Sequence, residues 1–468
     1  MSLARLNSAR PSGSVADVGL DLCIQEGRSL LRLAAPIMLI ALVNMGMSVT
    51  DAAMVSTIFG ADALAAVAVG SDFYSIVFYL GAGILGGLAP FYTAATLRSD
   101  SAGTARLLRI GWTMVGLIAA LIVPLVWFSP DWLAVLGPDR GLLEQGRGYT
   151  RAMALTLVPM LGVMLYRTIL TAAEKPKVFL MVTVAMLPLN ALGNYVLMTG
   201  AGPVPAFGPT GTGISTLLVA SASLAILILI VRRSSGGATA APVGAGVDWR
   251  GIVPVLRVGL PIGIATVAEV GVFLAATIYA ATLSAADVAA HTLTLRTAGV
   301  AYAIPAALLQ ASMVRMARAN SQGDSRADRA VFTSSLAISL AFGALIVLVL
   351  ASGAGPLAGA FFDDSPAGVA AAGLAVGLLI LLGVLEFIFV PGAAAAGLLR
   401  GRKDTRVPMI YALVGHWALG APLGVYLCER HDLGIAGIWI GLSAGTLLTT
   451  LLTLRRLFVL QAPTPSSG

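Results

Sequence analysis

Five ionisable residues lie inside long apolar stretches of the sequence, where a charge is expensive to bury. They are Asp51, Asp72, Glu269, Arg296 and Glu386. A charged side chain at the centre of a bilayer costs about 2.5–3.5 kcal/mol on insertion scales, so such residues usually bind ions, exchange protons or form ion pairs. An unpaired carboxyl group in apolar surroundings also favours its neutral form, which suits reversible protonation.

In the first half of the chain, Asp51 shares its depth with a pair of asparagines. Counted from the preceding basic residue at 1.5 Å per residue, Asp51 lies about 28 Å into its apolar run. Asn190 and Asn194 lie about 20 and 26 Å into theirs and are one helical turn apart, so they share a face. We expect these residues to exchange a proton or to bind a cation such as Na⁺.

In the second half, Glu269 and Glu386 lie about 18 and 21 Å from basic residues on the same side. Two acids near the midplane suit a site that binds Na⁺ or exchanges a proton. The alternative for each acid is a buried ion pair, for which Arg296 is the obvious partner. We expect Asp72 and Arg296 to be structural rather than functional.

The composition predicts an all-α polytopic membrane protein. The chain has 468 residues, of which 58% are hydrophobic and 11% charged, and its mean hydropathy is +0.91. Apolar runs of twenty residues or more favour transmembrane helices over the short alternating segments of a β-barrel. We predict twelve spans, at 31–58, 64–96, 107–128, 149–172, 178–199, 210–231, 254–281, 288–312, 331–352, 368–399, 407–428 and 434–458.

The distribution of basic residues predicts the orientation. Most of the 29 lysine and arginine residues fall in alternate connections between the spans, on the side of the N-terminus. By the positive-inside rule, both termini should be cytoplasmic in a multi-pass protein of a bacterial inner membrane. Because the charges alternate with spans and form no patch, nucleic-acid binding is excluded. Cys23 and Cys428 fall on opposite sides, which argues against a disulfide between them.

The sequence contains an internal repeat of six spans. Pro36 in "LAAPIMLIAL" aligns with Pro261 in "VGLPIGIATV", "SDS" (99–101) aligns with "GDS" (323–325), and "LYRTIL" (165–170) resembles "LLRGRK" (398–403). Parallel repeats of this kind form the two lobes of many transporters, with a binding cavity between them. The proline register places Ala276 opposite Asp51, so the acid is not a copied architectural residue.

The repeat and the composition divide the chain into five segments. They are a cytoplasmic N-terminal segment (1–28), a first lobe (29–231), a Gly/Ala/Ser/Pro-rich linker (232–250), a second lobe (251–458) and a C-terminal tail (459–468).

No catalytic or nucleotide-binding motif is present. None of the three lysines follows a glycine, so there is no phosphate-binding loop, and the three histidines are isolated. We therefore expect no enzymatic activity and no cofactor, and an ion gradient or the membrane potential as the energy source.

Several longer motifs resemble the multidrug and toxin extrusion (MATE) family, in its bacterial NorM-type branch. The resemblance covers residues 29–458 and includes "LAAPIMLIALVNMGMSVTDAAMVSTIFGADALAAVAVGS", "LPIGIATVAEVGVF", "VAAHTLTLRTAGVAYAIPAALLQASMVRMARANSQGD" and "AAAAGLLRGRKDTRVPM". It implies twelve helices in two pseudo-symmetric six-helix lobes and export of organic cations coupled to H⁺ or Na⁺.

The resemblance also transfers site residues onto this sequence. The family's first-helix aspartate falls on Asp51, its seventh-helix glutamate on Glu269, and its fifth-helix polar pair on Asn190 and Asn194. The tenth-helix aspartate of the NorM-type branch falls on Phe389, and Glu386 lies one turn earlier, where it could substitute on the same face. The coupling ion is therefore left open between H⁺ and Na⁺.

We expect the protein to act as a monomer in the lipid bilayer on small cationic amphipathic substrates. Flexible and aromatic side chains suit such cargo, and the predicted cavity residues are Met47, Met54, Tyr74, Phe273 and Phe389. Two alternatives to an antiporter remain, a flippase for lipid-linked precursors and a non-transporting membrane scaffold. A flippase would need a strongly cationic cavity, whereas the deep residues are acids with a single arginine.

Overall fold

The computed structural model describes residues 19–136, 140–201, 203–234 and 248–461, and this part of the chain is almost entirely helical. A π-helical segment, Val414–Gly420, separates two of the α-helices. The α-helices are α1 (Leu20–Phe59), α2 (Ala61–Gly86), α3 (Ala89–Leu97), α4 (Ser101–Trp127), α5 (Ser129–Leu136), α6 (Arg140–Ala172), α7 (Pro176–Thr199), α8 (Thr210–Ser234), α9 (Trp249–Ala280), α10 (Ala285–Ala301), α11 (Ala303–Gln322), α12 (Ser325–Phe361), α13 (Pro366–Gly401), α14 (Arg406–Leu413), α15 (Ala421–Arg430) and α16 (Gly434–Gln461).

Twelve segments of the described chain are long and apolar enough to cross a membrane, which confirms the predicted all-α architecture. Most spans are single helices, but α2 continues into α3, α10 into α11, and α14 through the π-helical segment into α15. Residues 1–18, most of the predicted linker (235–247) and the end of the predicted tail (462–468) lie outside the described residues.

The first helix begins earlier than the hydropathy predicts. α1 begins at Leu20, within the predicted N-terminal segment, because its polar first turns are stabilised by partners that hydropathy does not register. Asp21 lies in the first turn, where a negative charge suits the helix dipole. Glu26 pairs with Arg315 on α11 at 2.6 Å.

The internal repeat is visible in two matching turns. Ser99 and Gly323 both have positive φ, and the aspartate that follows each caps the next helix through its side chain. Glu174 and Lys403, both at positive φ, likewise close matching turns after α6 and α13. The second pair of turns aligns Arg400 with Thr171. The sequence match between "LYRTIL" and "LLRGRK" aligns Arg400 with Arg167 instead, about one helical turn earlier.

Each lobe packs around one central helix. In the first lobe (α1–α8), α6 contacts α2, α4 and α8, and in the second lobe (α9–α16), α13 contacts α11, α12 and α16. The first halves of α1 and α9 cross into the opposite lobe. Leu30 and Ile37 of α1 belong to the core of the second lobe, whereas Ile252 and Val255 of α9 belong to the core of the first.

The two lobes contact each other closely at one end of the bundle, which carries Arg98, Lys175, Arg315 and Lys403 and is called the basic end below. Polar contacts join the lobes there. Glu174, in the turn after α6, binds Arg315 at 2.7 Å and Arg318 at 3.6 Å, and the Lys403 ammonium lies 4.1 Å from the centroid of the Phe91 ring. Two further pairs, Arg315–Glu26 and Arg106–Asp248, both at 2.6 Å, fasten the crossing starts of α1 and α9 to the opposite lobe. The opposite end is called the far end.

Candidate functional site

Asp51 on α1 accepts hydrogen bonds from two amides of α7. The side-chain nitrogens of Asn190 and Asn194 lie 2.6 and 2.5 Å from Asp51 Oδ1. Both asparagines are fully buried, and α7 packs against α1. The Ser215 hydroxyl on α8 donates to the backbone carbonyl of Asn190 at 3.2 Å. The structure therefore brings together the three residues that depth and helical spacing placed side by side.

The amide oxygens of this cluster have no partner. Asn190 Oδ1 and Asn194 Oδ1 are both buried and accept no hydrogen bond. Buried polar atoms without partners are rare in native proteins and call for an explanation, such as a bound ion. A carboxylate beside two free amide oxygens forms a set of hard oxygen ligands, and the same carboxylate can instead accept a proton.

A second polar site lies inside the second lobe. A cavity of about 60 Å³ is lined by α9, α11, α13, α14, the π-helical segment and α16. Its polar lining comprises Glu269, Tyr302, Arg400, Thr405, His416, Thr446, Thr449, Thr450 and Thr453. Glu269 on α9 and Arg400 on α13 interact electrostatically. They do not form a direct ion pair with each other.

Phe389 and Glu386 occupy different surroundings on α13. Phe389 lines the cavity and stacks on Tyr302, with ring centroids 6.0 Å apart. Glu386 is 3% exposed in the interior of the lobe, and its Oε2 atom has no hydrogen-bond partner. It interacts electrostatically with Glu269 but does not line the cavity. Phe389 therefore places an aromatic ring in the cavity at the position where the family resemblance predicts an aspartate.

The remaining ionisable candidates are exposed. Arg296 on α10 and Asp72 on α2 both have exposed side chains. No ion pair of the described residues includes Arg296, so the structure does not bring it to Asp51, Glu269 or Glu386. The acids therefore lack the structural counter-ion that the sequence suggested for them.

The residues predicted to bind substrate are spread over both lobes. Met54 packs against the core of the first lobe and Tyr74 belongs to it, whereas Phe273 packs against the core of the second. Phe389 lines the second-lobe cavity, and Met47 is half-buried on α1.

Two arginines that the sequence counted as connecting-loop charges turn into the protein. Arg400 lines the second-lobe cavity. Arg167 interacts electrostatically with Tyr79 of its own lobe and Tyr302 of the other, and its Nε atom is buried without a partner. A signal was present, since "LYR" and "LLR" both place the arginine directly after apolar residues rather than in a polar loop. The interior therefore contains half-buried arginines as well as acids, contrary to the expectation of a single deep arginine.

The π-helical segment also went unrecognised in the sequence. It places His416 in the cavity lining and lets Trp417 Nε1 donate to the backbone carbonyl of Ala268 at 2.9 Å, next to Glu269. Gly415 in this segment packs directly against the backbone of Gly445 in α16. Single π-helical turns occur frequently at functional sites.

Comparisons with known proteins agree with this architecture. The MatE family model matches residues 36–196 and again 261–426, so its two matches begin at Pro36 and Pro261. The probable multidrug resistance protein NorM of Mesorhizobium japonicum is 31% identical over 438 residues, which are 92% of this chain and 93% of that protein.

Solved structures share the fold. The eukaryotic MATE transporter AtDTX14 superposes with a TM-score of 0.83 at 17% identity, covering 95% of this chain and 97% of that one. A MOP superfamily transporter from Pyrococcus furiosus, described as having a binding pocket of reverse polarity, gives 0.82 at 17% identity, covering 94% and 97%. With both halves matched by the family model, the chain belongs to the MatE family of multidrug and toxin extrusion (MATE) transporters.

Proposed function

We propose that this protein is a secondary active antiporter that exports organic cations across the bacterial inner membrane in exchange for H⁺ or Na⁺. The observation that carries the proposal is the cluster around Asp51. Its carboxylate, on α1, accepts hydrogen bonds from two buried amides of α7, and the oxygens of those amides have no partner. Such a site has two states, with and without its ion, that differ in charge and in hydrogen bonding. The name of the Mesorhizobium relative supports drugs as the cargo.

The ion changes the contact between α1 and α7. An ionised Asp51 accepts both amide N–H groups, whereas a protonated Asp51 becomes a donor and can bond to one of the amide oxygens. A sodium ion would instead bind the carboxylate together with the oxygens of Asn190 and Asn194. Either event favours one packing of α1 over another. Coupling requires that the ion bind one of the two conformations more tightly.

In the second lobe, Glu269 is the proposed coupling acid, and a proton fits it better than Na⁺. Arg400 lines the same cavity, and its positive charge repels a metal cation. Glu386 lies outside the cavity lining, so it does not complete a set of ligands with Glu269. The Asp51 cluster is therefore the better-supported place for Na⁺.

The proposed orientation puts the basic end and both termini in the cytoplasm. The polar contacts between the lobes lie at that end, so the space between the lobes would open toward the far end, outside the cell. This arrangement corresponds to an outward-facing state of a monomeric transporter that works by alternating access.

A second candidate function, export of anionic amphiphiles such as lipid-linked phosphate precursors, is favoured by one observation. Arg167 and Arg400 are turned into the protein and form no ion pair among the described residues. Arginine binds phosphate well because its planar fork matches the oxygens. The acids Asp51 and Glu269 oppose such cargo, so organic cations remain the preferred class.

The test is efflux of ethidium, an organic cation, from proteoliposomes under an imposed pH or sodium gradient. We expect the wild type to respond to one of the gradients and Asp51→Asn and Glu269→Gln to lose most of that response. Asp72→Asn is the matched control, because Asp72 is an exposed acid of the first lobe. It should respond like the wild type.

The outcomes separate the candidates. Wild-type efflux indifferent to both gradients contradicts antiport, and an unchanged response in both acid variants contradicts the site. Export of a fluorescent lipid phosphate without export of ethidium would favour the second candidate. Absence of any transport by a well-folded wild type would favour a scaffold.

A further inference from the structure

Two charged groups face the same cavity in the second lobe without touching. Glu269 and Arg400 both line it and interact electrostatically. Among the hydrogen bonds and ion pairs of the described residues, none involves the Glu269 carboxylate or the Arg400 guanidinium. Both residues are half-buried, and a charge withdrawn from water without a partner is unfavourable. These two groups are therefore each other's counter-charge, acting across the space between them.

The cavity is suited to water. Its volume of about 60 Å³ accommodates a few water molecules. Thr405 Oγ1 is buried without a partner. His416 Nδ1 lies 2.9 Å from the Ala412 carbonyl and must donate to it, which leaves Nε2 as an acceptor when the ring is neutral. Free donors and acceptors around a space of this size are the conditions under which bound water bridges polar groups.

The cavity connects the middle of the lobe with the basic end. Glu269 lies in the central part of α9, whereas Arg400 is next to the last residue of α13. Thr405 lies in the turn that follows α13, at the basic end. Water in this cavity would therefore give Glu269 a polar route toward the basic end.

We propose that Arg400 is the positioning residue for Glu269: across a water-filled cavity it favours the ionised carboxylate, so that a proton bound at Glu269 is released toward the basic end. This inference rests on the proposed function only in taking Glu269 as a coupling acid. In the proton step, the Glu269 carboxyl group transfers its proton to a water molecule in the cavity, which leaves a carboxylate and gives a hydronium ion that departs toward the basic end. Arg400 keeps its charge throughout.

Other titratable groups surround Glu269 and also influence its protonation. They are Glu386 on α13, Tyr302 at the junction of α10 and α11, His416 on the π-helical segment and, through Tyr302, Tyr79 and Arg167 of the first lobe. An ionised Glu269 disfavours a charge on Glu386, because like charges repel. Without Arg400, Glu269 would therefore face a second acid with no adjacent counter-charge in its cavity.

The test follows the carboxyl C=O stretching band of Glu269 by infrared difference spectroscopy during a pH titration of the reconstituted protein. Glu269→Gln identifies the band by removing it. In Arg400→Gln, we expect the protonated band to persist to a pH higher by about 1–3 units, the range for loss of a nearby opposite charge. Arg400→Lys should restore most of the wild-type behaviour. Arg296→Gln is the control, because Arg296 is exposed and should cause no shift.

An unchanged midpoint in Arg400→Gln overturns the inference. If Arg400→Gln does not fold, the double variant with Glu269→Gln decides the matter. Recovery of folding supports the pair, and failure to recover overturns it. The spectroscopic readout needs no transport, so efflux that ignores pH while the band still shifts would contradict only the proposed function.

Discussion

At the scale of single residues, the account depends on what stabilises a charge at Asp51. Burial favours the neutral acid, whereas the two amide donors favour the carboxylate. The balance between these effects decides when a proton is bound or released. In the proposed function, this balance must shift when the pH or the conformation changes.

Replacing Asn194 by alanine removes one of the two donors to Asp51. A hydrogen bond to a charged group contributes about 1.5–3 kcal/mol, which corresponds to about one to two pH units. Because the lost donor stabilised the charged form, Asp51 in Asn194→Ala should keep its proton to higher pH. The pH profile of ethidium efflux should move to more alkaline values by about that amount.

Ser215→Ala is the matched control for this prediction. It removes a hydrogen bond to the backbone carbonyl of Asn190 without removing a donor to Asp51. Its pH profile should coincide with that of the wild type. An equal alkaline shift in both variants would show that local packing, rather than donation to Asp51, governs the profile.

Sequence reasoning singled out Asp51 and the two asparagines because depth and one-turn spacing can be counted along each helix separately. It missed Arg400 for a physical reason. A residue at the end of a helix can face either a loop or the interior, and the neighbouring helices decide which. The same reasoning could not show that Phe389 would line the cavity while Glu386 packs behind it.

At the scale of elements, close packing against α2 fastens the first half of α9 to the first lobe. Gly83 lies against Gly263, and Gly87 lies against Gly259, backbone to backbone. Small residues at these positions let the helices approach closely, as they do in many membrane proteins. The interface therefore depends on the absence of side chains.

Replacing Gly83 by alanine should separate the two helices. Its Cβ atom would lie 2.5 Å from Gly263 Cα, so the backbone must move. Overpacking of this kind typically destabilises by about 1–3 kcal/mol. We expect a lower melting temperature in detergent. Gly86→Ala on the same helix is the control, because nothing lies within 4 Å of its Cβ position. Equal melting temperatures for the two variants would contradict the close-packing argument.

The start of α9 provides a prediction about pH. Asp248 accepts hydrogen bonds from Arg106 and from the Gly251 backbone N–H, and these interactions, with Arg106 first, hold its pKa below the ordinary value. A lowered pKa stabilises the folded state above about pH 4, and this contribution disappears as the pH falls further. The difference in melting temperature between the wild type and Asp248→Asn should therefore be present at pH 7 and vanish on acidification. A difference in melting temperature that persists unchanged at low pH would contradict a role for the charge of Asp248.

Hydropathy predicted the number of spans because length and polarity are sufficient for that purpose. It placed the start of α1 too late, since the polar turns around Glu26 are held by a contact with α11 that is distant in sequence. The π-helical segment was also beyond prediction, because it depends on the packing of Gly415 against α16.

At the scale of the whole molecule, charged contacts at the basic end close one side of the transporter. Arg315 is the centre of these contacts, since it binds Glu26 from α1 and Glu174 from the turn after α6. The side chains of Arg315 and Glu26 are only 11% and 12% exposed. The bond to Glu174 is the one that crosses between the lobes, so the proposed alternating access requires it to break when the basic end opens.

Arg315→Met should shift the protein toward the state open at the basic end. Removing one partner of a buried ion pair costs about 3–5 kcal/mol, and partial exposure here reduces that value. Spin labels placed on the two lobes at the basic end should show a longer distance than in the wild type. Arg318→Met is the control, because Arg318 is 39% exposed and lies 3.6 Å from Glu174. Unchanged distances in Arg315→Met would mean that these bonds do not hold the lobes together.

The central claim is that an ion bound at Asp51 favours the conformation with the lower affinity for the organic cation, and binding measurements test it most directly. Ethidium affinity of the purified protein would be measured across a range of pH and of sodium concentration. If the substrate lowers the affinity for the ion by some factor, linkage requires that the ion lower the affinity for the substrate by the same factor. The account predicts that acidification or added Na⁺ weakens ethidium binding to the wild type and that Asp51→Asn loses this dependence while still binding ethidium. An affinity independent of both ions, or the same dependence in Asp51→Asn, would contradict the account.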